Sequence, residues 1–151
     1  MLLWCNKAIQ DQLHKLERSN PSLPFRGFFL SFHAQKHGFL GGCRPFIGLD
    51  GCHLKGPLGG VLLAAVALDA NSGVYPLAVC ICEAENLLSW GWFLKHLHDY
   101  LKYPTEKPLC FMSDRQKGVL SALEMQFPFA LQGFVQGIYM PTLDSNTRVR
   151  S

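Results

Sequence analysis

The sequence predicts an α/β domain built on a mixed sheet, and three observations support that prediction. Apolar stretches of strand length and amphipathic stretches alternate in the order strand, strand, strand, helix, strand, helix over residues 46–127. Apolar residues make up 48% of the chain and charged residues 17%, which is typical of a globular protein. The length of 151 residues is enough for one domain with its own core.

The first part of the chain predicts one helix and little other regular structure. Residues 7–18 carry apolar positions at helical spacing, and the prolines that follow end this helix. Residues 25–32 form a short apolar stretch, followed by a loop rich in Gly and His that reaches Pro45. We therefore expect residues 1–36 to be an N-terminal helix and linker.

Three apolar stretches predict the first three strands of the sheet. Residues 46–50 are typical of a short buried strand that ends in an acid. Residues 61–68 are nearly all apolar, so this second strand is expected to be covered on both faces. The turn at 69–73 joins it in an antiparallel hairpin to a third strand, 74–82. Pro76 cannot donate to a ladder, which predicts that the third strand lies at the sheet edge.

Two helices and a fourth strand complete the predicted domain. Residues 88–101 carry one apolar stripe and form a crossover helix, so the fourth strand, 109–112, should run parallel to the third. If it lies beside the first strand, the sheet order of the predicted strands is 3-2-1-4. A second helix covers 116–127 and ends before Pro128. Residues 129–151 show no strand or helix period and are expected to be an irregular tail.

Two acids follow the ends of strands that the 3-2-1-4 order makes neighbours. Asp50 ends the first predicted strand, and Asp114 follows the fourth. Neighbouring strands lie about 5 Å apart, so the two carboxylates could share one divalent cation. Magnesium is usually held by one or two carboxylates together with waters and phosphate oxygens. The alternative remains open, because an Asp at a strand end is often only a turn former or a helix N-cap.

Four charged residues near these acids are further candidates. Glu83 and Glu85 follow the third strand on the same side of the sheet as Asp50, and either is a candidate accessory metal ligand. The alternative is a solvated acidic entry to the helix. Arg115 and Lys117 flank the second acid and are candidates for phosphate contact, although a plain surface charge explains them equally well.

Cysteine usage and charge limit the other classes of site and partner. We expect no secretory signal, and we expect the six cysteines to be reduced thiols of a nuclear or cytoplasmic protein. We expect no zinc at Cys52 and His53, because adjacent strand residues seldom bind one ion and no Cys-x-x-Cys pair exists. No apolar run reaches the roughly 18–20 residues that cross a bilayer, so no membrane partner is expected. The net charge of +3 does not by itself indicate nucleic acid.

Four sequence blocks, in the same order along the chain, carry a resemblance to a known family. They are GFLGGCRP from Gly38, PFIGLDGCHLKGPLGG from Pro45, YPLAVCICEAENLLSWGWFL from Tyr75 and FMSDRQKGVLSALEMQFP from Phe111. Together they resemble the catalytic domain of Mutator-like element (MULE) transposases over residues 37–128.

The resemblance implies a ribonuclease-H-like fold that cuts and joins DNA with Mg²⁺ or Mn²⁺ held by an Asp-Asp-Glu set. Asp50 matches the first acid of the family and Asp114 the second. Neither Glu124 nor Asp144 matches the third acid. We therefore expect a C-terminally truncated, incomplete core that is catalytically inactive, with its fourth strand left as an exposed edge. DNA is the expected partner and the nucleus the expected location, and no small-molecule cofactor is expected.

Two other functions remain open for such a sequence. One is a non-catalytic module that keeps the fold and binds nucleic acid or protein. The other is a gene remnant whose product has no settled role. Cleavage of plasmid DNA, salt-dependent DNA binding without cleavage, and failure to fold would separate the three.

Overall fold

The structure, a computed structural model, describes residues 27–57, 59–114 and 117–134. Within these ranges the chain forms β-strands and α-helices in the order β1 (Phe28–Leu30), α1 (His33–Gly42), β2 (Cys43–His53), β3 (Val61–Asp69), β4 (Val74–Cys82), α2 (Leu87–Leu101), β5 (Cys110–Ser113), α3 (Lys117–Gln126) and β6 (Leu131–Phe134). The helix expected at residues 7–18 lies outside the described residues.

The strands form one mixed sheet in the order β1-β4-β3-β2-β5-β6. β3 pairs antiparallel with both β2 and β4, whereas β5 runs parallel to β2. The four strands expected from the sequence are β2, β3, β4 and β5, and they lie in the expected relative order. The helix α2 is the crossover that carries the chain from β4 past two strands to β5. The α/β class is therefore observed.

A short strand at one end of the sheet corrects the prediction for the third strand. β1 pairs antiparallel with residues 79–81 of β4, so β4 is not an edge strand. Pro76 is exposed and lies outside the paired segment, where its missing N–H removes no hydrogen bond to β1. The proline indicates only that its own part of β4 lacks a partner on the β1 side, since Pro76 pairs with Val66 of β3 and β1 pairs further along the strand.

A second short strand, at the other end of the sheet, corrects two further predictions. β6 pairs in parallel with all four residues of β5, so β5 is not left as an exposed edge. The chain after Pro128 is also not irregular throughout. β6 escaped detection because it has only four residues and Leu131 is exposed. Its position depends on ladder hydrogen bonds, beginning with the Leu131 N–H that donates to the Leu109 carbonyl at 2.8 Å.

The segment predicted as a loop rich in Gly and His is the helix α1. Glycine disfavours helix, and α1 contains Gly38, Gly41 and Gly42, so local propensity predicted a loop. Tertiary contacts override that propensity. Phe39 is buried in the core, and Gly38 leaves the space that the Tyr75 hydroxyl occupies, where a Cβ would overlap it.

The core lies between one face of the sheet and the helices. Alternate residues of β2, β3 and β5 join the inward side chains of α2 and α3 in one buried cluster, which includes Ile47, Leu49, Leu63, Phe111, Trp90, Phe93, Leu97, Val119 and Leu123. The intervening residues of β3 are only half-buried in the part of the chain that the structure describes. The prediction that this strand is covered on both faces is therefore wrong for the described residues.

The described cysteines form no disulfide and are free thiols, as expected; they are Cys43, Cys52, Cys80, Cys82 and Cys110. Burial raises the pKa of the Cys43 and Cys110 thiols, which favours their protonated form at neutral pH.

In the described part of the chain, no helix has the length and apolar character to span a membrane.

Candidate metal centre

The parallel pairing of β2 with β5 positions the two acids. Gly48 of β2 is the partner of Met112 of β5. Continued by two residues, the same register would bring Asp50 of β2 opposite Asp114, which follows the last residue of β5. Side chains alternate along a strand, so Asp50 lies on the face of Gly48, opposite the buried Ile47 and Leu49. Both acids are exposed.

Short hydrogen bonds hold the main chain where each acid occurs. The Gly51 N–H donates to Asp50 Oδ1 at 2.9 Å, which orients the carboxylate against its own strand. The Ser113 hydroxyl, which is buried, donates to the main-chain oxygen of Asp114 at 2.9 Å. The prediction that Asp50 ends its strand is wrong, because β2 continues to His53; Asp50 lies within β2, and only Asp114 follows the end of a strand.

A third carboxylate approaches β2 one residue after Asp50. Glu85 Oε1 lies 2.6 Å from the point where a Cβ on Gly51 would be, so only glycine leaves room for this carboxylate as it is placed. Trp90 Nε1 donates to the same Glu85 oxygen at 3.3 Å. Gly51 lies on the helix-covered face of β2, so Glu85 reaches the strand from that side. Glu83 is exposed.

The starts of α2 and α3 meet beside this end of the sheet. Asn86 caps α2 by accepting the Ser89 N–H at 3.0 Å. Gly118 in α3 packs against the same cap, because a Cβ there would lie 3.1 Å from the Leu87 nitrogen. A larger side chain at position 118 would push the two helix ends apart. This contact brings the segment after Asp114 next to the segment that carries Glu85.

The remaining predicted residues contribute less to the described site. Arg115 lies outside the described residues, and Lys117 begins α3 without a described side chain. Glu124 is exposed on α3, and Asp144 lies outside the described residues. Within the described ranges, no group of three or more His, Cys, Asp or Glu side chains is arranged to hold a metal ion. The candidate centre is therefore the pair of aspartates, and Glu85 approaches β2 from the face opposite to the Asp50 side chain.

Cys52 and His53 both belong to β2, so their side chains point to opposite faces of the sheet. The sequence analysis missed Gly51 and Trp90 as neighbours of Glu85. Trp90 was recognisable only as part of the apolar stripe of α2, since a hydrogen bond to a side chain five residues earlier leaves no periodic signal.

A family model, described as the MULE transposase domain, matches residues 46–134. The match covers more than half of the 151 residues and includes most of β2, all of β5 and both acids. The chain belongs to the MULE transposase family. The resemblance found in the sequence is therefore confirmed, and the match of this MULE transposase domain extends to the end of β6. Comparisons with curated proteins and with solved structures give no match.

Proposed function

We propose that this MULE-family chain is the ribonuclease-H-like core of a DNA transposase, with Asp50 and Asp114 as ligands of Mg²⁺ or Mn²⁺. The parallel pairing of β2 with β5 carries the proposal, because the same register, continued by two residues, brings Asp50 opposite Asp114. The strand order β4-β3-β2-β5 with a crossover helix supports the fold assignment.

The chemistry of the two acids fits a hard divalent cation. Magnesium takes oxygen ligands and keeps several waters, so two exposed carboxylates are a sufficient protein contribution. A sheet holds these ligands more rigidly than a loop does. When bound, the ion supplies positive charge that stabilises the oxygens of a phosphodiester during displacement. The protein contributes the spacing of the ligands and their exposure to DNA.

Glu85 is proposed as an accessory ligand through a water, because its carboxylate approaches β2 from the face opposite to the Asp50 side chain. The Trp90 N–H and the space above Gly51 hold its carboxylate beside the strand that carries Asp50. We expect Glu85→Ala to weaken Mg²⁺ binding less than either aspartate substitution does, and calorimetry measures this difference. Unchanged affinity in the variant would remove Glu85 from the site.

We further propose that this chain binds metal and DNA without cutting DNA efficiently. None of its acids matches the third acid of the family pattern, and losing one member of a catalytic unit usually costs orders of magnitude in rate. DNA is the proposed partner, with Arg115 and Lys117 as candidates for phosphate contact, and the nucleus is the proposed location. A non-catalytic DNA-binding role is consistent with the same two-acid centre.

Metal binding tests the site directly. Mn²⁺ titrations of the full chain should show binding that Asp50→Asn and Asp114→Asn each abolish or strongly weaken. Asp99→Asn is the matched control, because Asp99 is an exposed acid on α2 whose ion pair with Lys95, at 2.7 Å, contributes little. Wild-type affinity in both site variants would contradict the proposed centre.

Plasmid DNA tests the proposed loss of cleavage. With Mn²⁺ present, we expect binding that weakens steeply as salt rises and no nicking above the level of a blank. Nicking that disappears in Asp50→Asn would show that the chain is catalytically competent. That result would support the proposed metal centre and contradict the proposed inactivity.

A further inference from the structure

Two histidines on α1 form a close pair far from the aspartates. His33 and His37 are four residues apart and share one side of the helix. Their Nε2 atoms lie 3.3 Å apart, and their ring centroids are separated by 4.4 Å. Both side chains are exposed. Two imidazole nitrogens that meet in solvent at this distance can act together on one ligand.

The separation of the nitrogens matches that of two ligands on one metal ion. Zinc–imidazole bonds are about 2.0–2.1 Å long, so two nitrogens at a tetrahedral angle lie about 3.3 Å apart, and at a right angle about 2.9 Å. The observed 3.3 Å equals the tetrahedral value. Without an ion, one imidazole donates its Nε2–H to the other. A cation bound by both nitrogens would lie off the line that joins them, so both rings would turn to direct their lone pairs at it.

The helix start that carries the pair is fixed by its neighbours. Gln35 Oε1 accepts the Phe32 N–H at 2.8 Å. The Tyr100 hydroxyl donates to the Phe32 carbonyl at 2.6 Å and accepts the Lys36 N–H at 3.0 Å. The Tyr75 hydroxyl donates to a further carbonyl of α1, that of Ala34, at 3.3 Å. A backbone held in this way loses little additional freedom when the side chains bind an ion.

Lys36, a positive residue on the same helix, does not oppose a cation at the pair strongly. The Lys36 ammonium lies over the Tyr100 ring, 5.9 Å from its centroid, and so on the side of α2. The positive end of the α1 dipole disfavours a cation, but only by about 0.3–1 kcal/mol at an exposed position. Two coordinate bonds to imidazole outweigh an opposition of that size.

We propose that His33 and His37 chelate a divalent transition-metal ion of the Zn²⁺ or Ni²⁺ class, with water in the remaining positions. Imidazole suits these ions, whereas Mg²⁺ prefers oxygen. The start of α1 is hydrogen-bonded to Tyr100 in the last turn of α2, whereas Glu85, which lies against the neighbour of Asp50 in β2, precedes the first turn of α2. The 15 residues of α2 separate the two centres by about 20 Å. The two centres are therefore independent, and this inference does not rest on the proposed function.

The expectation of no zinc concerned Cys52 and His53, and the segment that carries His33 and His37 was predicted to be a loop, so the pair was not considered as a site. The pattern His-x-x-x-His places both rings on one side only when the segment is helical. Once α1 is known to be a helix, the spacing itself indicates the site.

Calorimetric titration of the full chain with Ni²⁺ tests the proposal. We expect His33→Ala and His37→Ala each to lower the association constant by on the order of tenfold or more, because each leaves a single donor in place of a chelating pair. Alanine has a higher helix propensity than histidine, so circular dichroism should show that α1 persists in both variants. Wild-type Ni²⁺ affinity in either variant overturns the proposal.

His53→Ala is the matched control, since His53 is an exposed histidine on β2 beside Cys52. Its Ni²⁺ affinity should equal that of the wild type, and a loss there would assign the binding to β2 instead. The His33 and His37 variants should keep their Mn²⁺ affinity. A parallel loss of Mn²⁺ binding would also overturn the claim of two separate centres.

Discussion

Single glycines determine how closely chain segments approach one another around the metal centre. Gly51 leaves room for the Glu85 carboxylate, and Gly118 lets α3 touch the cap of α2. Gly60 has a positive φ of 95°, and a Cβ there would lie 2.9 Å from the Cys82 carbonyl oxygen. These positions differ in what a side chain would displace, so their substitutions should differ in cost.

Gly60→Ala should lower the free energy of unfolding by about 1–3 kcal/mol, because a residue with a Cβ is strained at this φ and would meet backbone. Urea denaturation measures the change. Gly41→Ala is the control, because its Cβ would meet nothing within 4 Å and alanine favours the helix. Equal stability of Gly60→Ala and the wild type would show that the loop before β3 relaxes freely.

Gly51→Ala should affect the metal site more than the fold. The added methyl group displaces the Glu85 carboxylate, which is the end of a flexible side chain and can move at small cost. We expect Mn²⁺ affinity to fall to that of Glu85→Ala, while the urea midpoint stays close to the wild-type value. A large drop in the urea midpoint would instead show that the Glu85 carboxylate cannot move aside without destabilising the fold.

The short strands β1 and β6 and the helix α1 form because neighbouring elements supply hydrogen bonds and packing contacts. β1 has three residues and β6 has four, and neither shows a usable hydrophobic period. Each adds to an edge of the sheet, where the ladder supplies hydrogen bonds to backbone groups that would otherwise be unpaired. The helix α1 is similar, because Phe39 and two tyrosine hydroxyls hold a segment rich in glycine.

Leu131→Pro should detach β6 from β5. Proline removes the N–H that donates to the Leu109 carbonyl, and leaving that acceptor unpaired costs about 1–3 kcal/mol. Hydrogen exchange of the β5 amides should speed up, and the urea midpoint should fall. Leu131→Ala keeps the N–H and removes a side chain that is already 53% exposed, so it should behave much like the wild type. Similar behaviour of the two variants would contradict this account.

At the scale of the whole molecule, stability depends on a core on one side of the sheet. Phe111 of β5 is fully buried, and its ring centroid lies 4.7 Å from that of Phe127, so it links the sheet to the end of α3. The strand that holds Phe111 also leads to Asp114. A substitution in this part of the core should therefore displace β5 and, with it, Asp114.

Phe111→Ala should lower the free energy of unfolding by about 3–5 kcal/mol, because it leaves a large cavity beside Phe127. Domains are stable by only about 5–15 kcal/mol, so thermal unfolding should shift markedly and Mn²⁺ binding should weaken with it. Phe129→Ala is the control, since Phe129 is 81% exposed. If Phe111→Ala melts at the wild-type temperature, Phe111 does not contribute to the stabilising core.

The sequence by itself determined the central strands, the two amphipathic helices, the family and the positions of both aspartates. The strands and helices follow from apolar periods long enough to be recognised, and the family and the aspartates follow from residues that match a family pattern. Only the tertiary structure decided that α1, β1 and β6 exist, that Glu85 lies over Gly51, and that two histidines face each other. Each of these depends on contacts between residues whose local sequence is neutral or unfavourable, and such contacts form only when the rest of the chain has folded around them.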